Sequence, residues 1–207
     1  MARPQSPDYD KRRDAIVAAA ARLYARRGFQ GASVAELAKA CRSSKSLIYH
    51  YFAAKEDILY EVMAAHLDAL VEASEEALRA SGPEERLRAL TRAFVDLYAD
   101  AQHNQKVLLN ELDNLPAPRR AEVVAKQRRI IAVVEQLIRD IRPDVDPVKL
   151  PLTMLFFGMI NWTHTWFRPD GALPPEALAG MAAELMLAGL SSAPLSPSLM
   201  SEDRQAS

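Results

Sequence analysis

Ser33-Val34-Ala35-Glu36-Leu37-Ala38-Lys39-Ala40, then Cys41-Arg42-Ser43, then Ser44-Lys45-Ser46-Leu47-Ile48-Tyr49-His50-Tyr51-Phe52: this stretch decides the fold. Ser33 followed three residues on by Glu36 is a capping box. The hydroxyl accepts a free backbone N–H of the first turn, and the carboxylate reaches back to the cap. A helix therefore starts at Ser33 and ends near Ala40. A three-residue turn follows, and Ser44 caps a second short helix over Lys45–Tyr51. Two short helices on one tight turn make a helix-turn-helix candidate. In the second helix Ile48 and Phe52 face inward, whereas Ser44, Lys45, Ser46, Tyr49 and His50 point outward together. Small hydroxyls and a lysine at a helix N-terminus suit a DNA major groove, and the free N–H groups and helix dipole there favour phosphate. Tyr49 and His50, half a turn on, reach phosphate oxygens, as does Lys55 beyond. Taken alone, the same pattern also describes an ordinary amphipathic helix with a solvated face.

Outward from this stretch the chain reads as helix throughout. It has 207 residues, 49% apolar, 26% charged and 7% aromatic. Apolar residues recur at helical spacing, period-2 runs are scarce, and seven glycines are too few for a turn-rich β fold. The expected fold class is all-α with about nine helices. A first helix spans 10–27 with an Ile16, Ala19, Ala20, Leu23 stripe, closed by Gly28 as a left-handed cap. Later helices are expected over 55–80, 84–102, 105–112 and 119–141. Another ends at Phe167, starting at Pro147 or, more cleanly, at Pro151, where a proline in the first turn costs no hydrogen bond. The last spans 174–190. The expected division is a disordered arm (1–9), a DNA-binding domain (10–54), a larger effector and dimerisation domain (55–191) and a disordered Ser/Pro-rich tail (192–207).

Composition excludes several classes. No uncharged apolar run reaches the ~18 residues of a membrane span, and the N-terminus lacks the apolar core of a signal peptide. No membrane partner is expected. A lone Cys41 cannot pair internally, so a reducing cytoplasm is the default compartment. Cys41 itself reads as a buried small residue, with a redox role as the alternative. Four scattered histidines and one cysteine give no metal site, and no cofactor is expected. There is no Glu-x-x-His pair, no Gly-rich phosphate loop and no nucleophile in a recognisable setting, so no catalytic residue is assigned. Charge is uneven. Residues 1–60 hold eleven Lys/Arg against six Asp/Glu, a balance of +5; residues 61–207 hold fifteen against twenty-one, −6. A basic end on an acidic body points to a polyanionic partner at that end.

Residues 10–60 resemble the N-terminal domain of the TetR/AcrR transcriptional regulators. The likeness lies in Ile16-Val17-Ala18-Ala19-Ala20, Leu23-Tyr24, Arg27-Gly28-Phe29, Ser33-Val34 and Glu36-Leu37-Ala38. It continues in Ser44-Lys45-Ser46-Leu47, Tyr49-His50-Tyr51-Phe52 and Lys55-Glu56-Asp57-Ile58-Leu59. The resemblance implies three N-terminal helices on double-stranded DNA and a C-terminal helical domain that forms a homodimer and binds a small effector. Carried over, Lys45 and Ser46 fall at base or phosphate contacts, and Tyr49, His50 and Lys55 at phosphate contacts. Ser33 caps its helix. With Arg42, Ser43 and Ser44 from the turn, these form the candidate DNA-contacting set. Two positions depart from the pattern. Arg42 stands where the family carries glycine, so either arginine accepts that backbone geometry or the turn is remodelled. Ala54 stands where the family has a serine cap.

The run Leu152–Phe167 is apolar on nearly all faces, as for a helix buried on nearly all sides. Leu155 and Met159, with Leu178, Met181 and Leu185 of the last helix, are the expected homodimer seam; an intrachain core is the alternative. Phe157, Asn161, Trp162 and Trp166 are the expected effector-pocket residues, against a plain-core reading for each and an interior hydrogen-bonded role for His164. Gly158-Met159-Ile160-Asn161-Trp162, Trp166-Phe167-Arg168-Pro169-Asp170-Gly171 and Pro175-Glu176 are similar to a branch of fatty-acid and phenylacetic-acid degradation repressors that respond to CoA thioesters. That resemblance implies a small hydrophobic effector, an acyl-CoA, with cations for its phosphates among Arg88, Arg92, Lys106, Arg119, Arg120, Lys126, Arg128 and Arg129. The alternatives are a regulator of a lipophile efflux gene with a non-CoA ligand, or a helical protein-binding adaptor.

Overall fold

The computed structural model describes residues 7–192, and among them every regular element is helical. The helices are α1 (Pro7–Arg27), α2 (Val34–Ala40), α3 (Lys45–Tyr51), α4 (Lys55–Ala77), α5 (Pro83–Asp100), α6 (Gln102–Asn110), α7 (Ala117–Ile141), α8 (Lys149–Asn161), the single turn α9 (Thr163–Trp166) and α10 (Pro175–Ser192). Short 3-10 stretches cover Leu112–Asn114 and Pro143–Val148. Residues 1–6 of the expected arm and 193–207 of the expected tail lie outside the described residues.

Of the helix boundaries that differ from expectation, four have a visible local reason. α1 begins at Pro7, three residues early, with proline in the position where its missing N–H is harmless. α7 begins at Ala117, because Pro118 in the first turn needs no donor and the Pro116 carbonyl accepts the Arg120 N–H at 2.9 Å. α8 begins at Lys149, with Pro151 inside its first turn, and stops at Asn161 instead of running on to Phe167. At this stop side chains take the carbonyls of the ending turn. Thr163 Oγ1 donates to the Ile160 carbonyl (2.6 Å), His164 Nδ1–H to Asn161 (2.6 Å) and Thr165 Oγ1 to Trp162 (2.8 Å). Such bonds compete with the helical ladder.

The chain forms two compact units. The first comprises residues up to 69 with 101–126, the second residues 70–100 with 127 onward. In the first unit, Ile16, Ala20, Leu23 and Tyr24 of α1 are buried, as are Leu37 of α2, Ile48 of α3, Leu59 and Met63 of α4 and Val107 of α6. His66 of α4 and Gln105 of α6 are both buried and share a hydrogen bond of 2.8 Å. In the second unit α10 packs along α5, burying Leu87, Leu90, Phe94 and Tyr98 opposite Leu178, Ala182, Met186 and Leu190. Arg88–Glu184 and Arg92–Glu176 bridge these two helices at 2.7 Å. Such exposed pairs add little to stability beside the apolar burial.

Candidate nucleic-acid interface

The first unit presents α3 on a rigid local frame. Ser33 Oγ accepts the Glu36 N–H at 3.2 Å, and the Ser33 N–H donates to Glu36 Oε2 at 3.0 Å, which completes the capping box of α2. The Ser33 backbone and hydroxyl bonds, with Arg27 alongside, hold the Glu36 carboxyl below its usual range. Ser33 is thus occupied in starting α2. At the other end, Arg42 adopts a left-handed φ of 50°. Its N–H donates to the Lys39 carbonyl (3.1 Å), and the Ser43 N–H donates to Ala38 (2.9 Å). This is the helix-ending pattern that glycine normally serves. The turn keeps the geometry and the arginine accepts it. Ser44 Oγ then accepts the Leu47 N–H at 3.1 Å and starts α3.

α3 is pinned by Ile48 and by the following Phe52, both buried. Lys45, Ser46, Tyr49 and His50 are exposed on its outer side. Ser46 and His50, one turn apart, share the face opposite Ile48. The Tyr9 ring of α1 lies 4.6 Å from that of Tyr51 and 6.3 Å from that of His50. Arg13 stands 5.2 Å over Phe52 and pairs with Glu61 of α4 at 2.5 Å. The structure therefore brings Ser44, Lys45, Ser46, Tyr49 and His50 together on one short helix and its cap.

Lys55 is placed differently. Its ammonium donates to the Phe29 carbonyl and sits 4.0 Å from the Phe29 ring centre and 5.9 Å from that of Tyr24. Burial lowers its pKa, while Glu56 and Glu111 oppose that shift. Here it locks the loop after α1 to the start of α4. Ala54 lacks a capping hydroxyl, but its N–H donates to Asp57 Oδ2 at 3.0 Å, which secures the α4 start from inside the helix.

A groove of about 520 Å³ runs beside α3, and sequence reasoning did not anticipate it. Arg42, Ser43 and Ser44 line one side, and Arg12 and Arg22 of α1 line another, over a floor that includes Ile16 and Leu47. The signal was present as arginines at either end of the 12, 15, 16, 19, 22 stripe of α1. It was masked because Ile16 and Ala19 between them read simply as core.

In the second unit, Leu155, Met159, Met181 and Leu185 are exposed, the two leucines at 66% and 67%, whereas Leu178 is buried. Trp162 and Trp166 are also exposed, at 65% and 52%. Phe157 is half-buried, 6.4 Å from the Phe94 ring, and the Asn161 carbonyl accepts the His164 bond. The four expected pocket residues thus occupy two settings, Phe157 and Asn161 half-buried and the tryptophans on the outside. A separate cavity of about 240 Å³ lies between α4 and α7, walled by Val71, Leu78, Ile130 and Val133, with Ser74, Glu75 and Arg129. Arg129 pairs with Glu75. Of the candidate cations, Arg88, Arg92, Arg119, Arg120 and Lys126 also hold carboxylates. Lys106 and Arg128 hold none among the described residues.

No cluster of His, Cys, Asp and Glu among the described residues could hold a metal ion, and no described helix is long and apolar enough to cross a membrane. A helix-turn-helix head with a second helical unit is an architecture of DNA-binding transcriptional regulators. Residues 16–62 match the family of bacterial regulatory proteins of the tetR type, and residues 80–190 match the tetracyclin repressor-like C-terminal domain. The chain belongs to the TetR family, whose members bind DNA and act as dimers. It is 26% identical over 191 residues to the transcriptional activator FasR of Mycolicibacterium smegmatis, covering 91% of this chain and 87% of that one. It is 29% identical to the transcriptional repressor KstR2 of Rhodococcus jostii, covering 87% and 92%. A TetR-family regulator from Bordetella parapertussis superposes with a TM-score of 0.82 at 39% identity, covering 84% and 93%. AibR, solved in complex with isovaleryl coenzyme A and operator DNA, superposes at 0.76 with 31% identity, covering 85% and 98%.

Proposed function

We propose that this chain is a homodimeric repressor that leaves a palindromic operator when a CoA thioester of a catabolic pathway binds its second unit. What carries the reading is the likeness to AibR, in which a short acyl-CoA and operator DNA meet on one related chain. KstR2, a repressor by name, supports the sign of regulation, and FasR bears the opposite one on a related chain. Residues 10–54 serve as the DNA-binding domain and 55–191 as the effector and dimer domain. Lys45 and Ser46 enter the major groove. Ser44, Tyr49 and His50 hold phosphates, with Arg42 and Ser43 beside them. Ser33 and Lys55 position the head, and Lys55 adds positive charge to it.

The α4–α7 cavity is the site this reading prefers for the acyl group. About 240 Å³ falls below the usual small-molecule range of roughly 300–1,000 Å³, so it favours a short acyl chain with the rest of the ligand outside. Arg129, and Arg128 with no carboxylate partner among the described residues, stand on α7 for the charged portion. α4 is continuous from the head to the cavity: Lys55 belongs to the first unit, and Val71 and Ser74 line the cavity. A ligand acts on DNA only through unequal affinity for the DNA-fitting and non-fitting arrangements, and a shared helix offers that link. Leu155, Met159, Met181 and Leu185 form the dimer seam, with Trp162 and Trp166 on the same unit's exposed apolar surface in place of pocket walls.

The test is a thermal melt with isovaleryl-, phenylacetyl-, medium-chain and long-chain acyl-CoA, the free acids and CoA. A ligand at 100 times its Kd adds about 2.7 kcal/mol. A shift with one thioester, together with loss of DNA binding in its presence, is expected. No shift with any thioester discards the effector assignment and leaves the DNA-binding head untouched.

A further inference from the structure

We infer that the groove between α1 and the α2–α3 turn is a second phosphate-binding site of the head. It seats the sugar-phosphate backbone of the DNA strand that runs beside α3. The inference rests on the DNA-binding reading and adds Arg12 and Arg22 to it. Three guanidinium groups, Arg12, Arg22 and Arg42, line this groove, and none has a carboxylate partner among the described residues. Most other arginines do have one; Arg13, Arg27, Arg88 and Arg92 are examples. Three like charges left together without counter-ions favour an incoming anion. A second observation points the same way. Ser43 Oγ, on the groove wall, is buried and has no hydrogen-bond partner among the described residues. A phosphate oxygen would accept its proton and relieve the cost of a buried unpaired hydroxyl.

The shape selects the kind of anion. Pockets for small ligands bury most of the ligand surface. This groove is rimmed by exposed arginines, and its floor is a strip of small and aliphatic side chains. Arg12 and Arg22 are ten residues apart on α1, a rise of about 15 Å, along which one DNA strand presents several phosphates. Ser44 and Leu47 of the groove belong to the cap and first turn of α3, so a duplex seated on that helix end passes the groove mouth. An extended phosphodiester fits these conditions better than an enclosed small molecule.

The experiment compares wild type, Arg12→Ala/Arg22→Ala, Arg12→Lys/Arg22→Lys and Lys45→Ala. Fluorescence anisotropy is read across a salt series on an operator selected from a random duplex library and on a scrambled duplex. Each neutralised phosphate contributes about −0.9 to the slope of log affinity against log salt, so the alanine pair should lose about 1.8 of slope. Operator and scrambled duplex should weaken by the same factor, and the lysine pair should restore the slope. Both arginines are exposed, and an unchanged melting temperature reports that the alanine pair folds. An unchanged slope in the alanine pair, while Lys45→Ala weakens operator binding, overturns the groove and spares the DNA-binding reading. A thermal shift of DNA-free wild type with inorganic pyrophosphate, lost in the alanine pair whose DNA slope is unchanged, overturns the backbone assignment in favour of a free phosphorylated ligand. A wild-type chain that binds no duplex takes down the DNA-binding reading and the groove with it.

Discussion

The α3 head and the outer surface of α8 to α10 both keep large side chains out of their cores, but they expose opposite chemistries. α3 buries Ile48, with Phe52 just beyond, and turns Lys45, Ser46, Tyr49 and His50 outward. α8, α9 and α10 leave Leu155, Met159, Trp162, Trp166, Met181 and Leu185 outside. A hydrated polar face costs nothing while it waits for a polyanion. An apolar face of that size is a cost in water until another apolar surface covers it. The two surfaces should therefore answer to salt in opposite directions. DNA affinity falls steeply as salt rises, because counterion release drives it. Dimerisation is insensitive to salt or strengthened by it, because apolar burial drives it. Sedimentation and anisotropy over one salt series measure both.

The largest expected effect breaks the apolar side of this comparison. Leu155→Glu with Leu185→Glu places unpaired charges in the proposed seam, and an uncompensated buried charge costs on the order of 3 kcal/mol or more. A monomer by light scattering and a loss of operator affinity of at least a hundredfold are expected. A dimer that persists would place the seam elsewhere. Next is the hidden side of the head. Ile48→Ala removes a fully buried side chain from α3, at about 2–5 kcal/mol, read by chemical denaturation. It should leave the dimer intact while lowering DNA affinity.

Lys55→Ala sharpens the division between contact and support. It removes both the Phe29 carbonyl bond and the charge over the Phe29 ring, about 1–3 kcal/mol together. Operator and scrambled duplex should weaken by one factor, whereas Lys45→Ala or Ser46→Ala should change sequence preference. If Lys55→Ala alters neither stability nor affinity, the supporting role of Lys55 in the head is wrong. A pH series reads the interior of the same unit. His66 is buried against Gln105, and burial lowers its pKa from the ordinary 6.5. The unfolded chain then binds the extra proton first, so this contribution is complete above pH ~6.5 and is lost as pH falls through the depressed folded value. His66→Gln should flatten the fall in melting temperature below pH 6.5. The smallest effect is Arg42→Gly, which relieves a left-handed arginine and should stabilise the unit by about 1 kcal/mol. Because Arg42 also lines the groove proposed for phosphate, the more stable variant should bind DNA with a shallower salt slope.

The same two regions differ in how far they could be read from sequence. The limits of α2 and α3 follow from Ser33, Glu36 and Ser44, because neighbouring side chains satisfy neighbouring backbone groups there. The missing glycine at Arg42 marked a strained position, and only the structure shows that the backbone keeps its left-handed form. The α8 region is apolar on every side, so it carries no stripe to say which residues face out. Trp162 and Trp166 read equally well as pocket walls or surface. The break at Trp162 depends on which carbonyls Thr163, His164 and Thr165 reach, and residue spacing does not settle that. The α1 groove needed Arg12 and Arg22 to meet Arg42 in space, a non-local fact.

The measurement that tests the account most directly is a footprint of the purified chain on its selected operator, with an anisotropy titration across salt. The account predicts a protected palindrome bound by a dimer. Its half-sites lie about 34 Å apart or a multiple of that, and affinity falls steeply with salt and is lost in the Lys45→Ala/Tyr49→Phe variant. Equal binding to all duplexes, no two-fold pattern in the protected bases, or full affinity in that variant would contradict it.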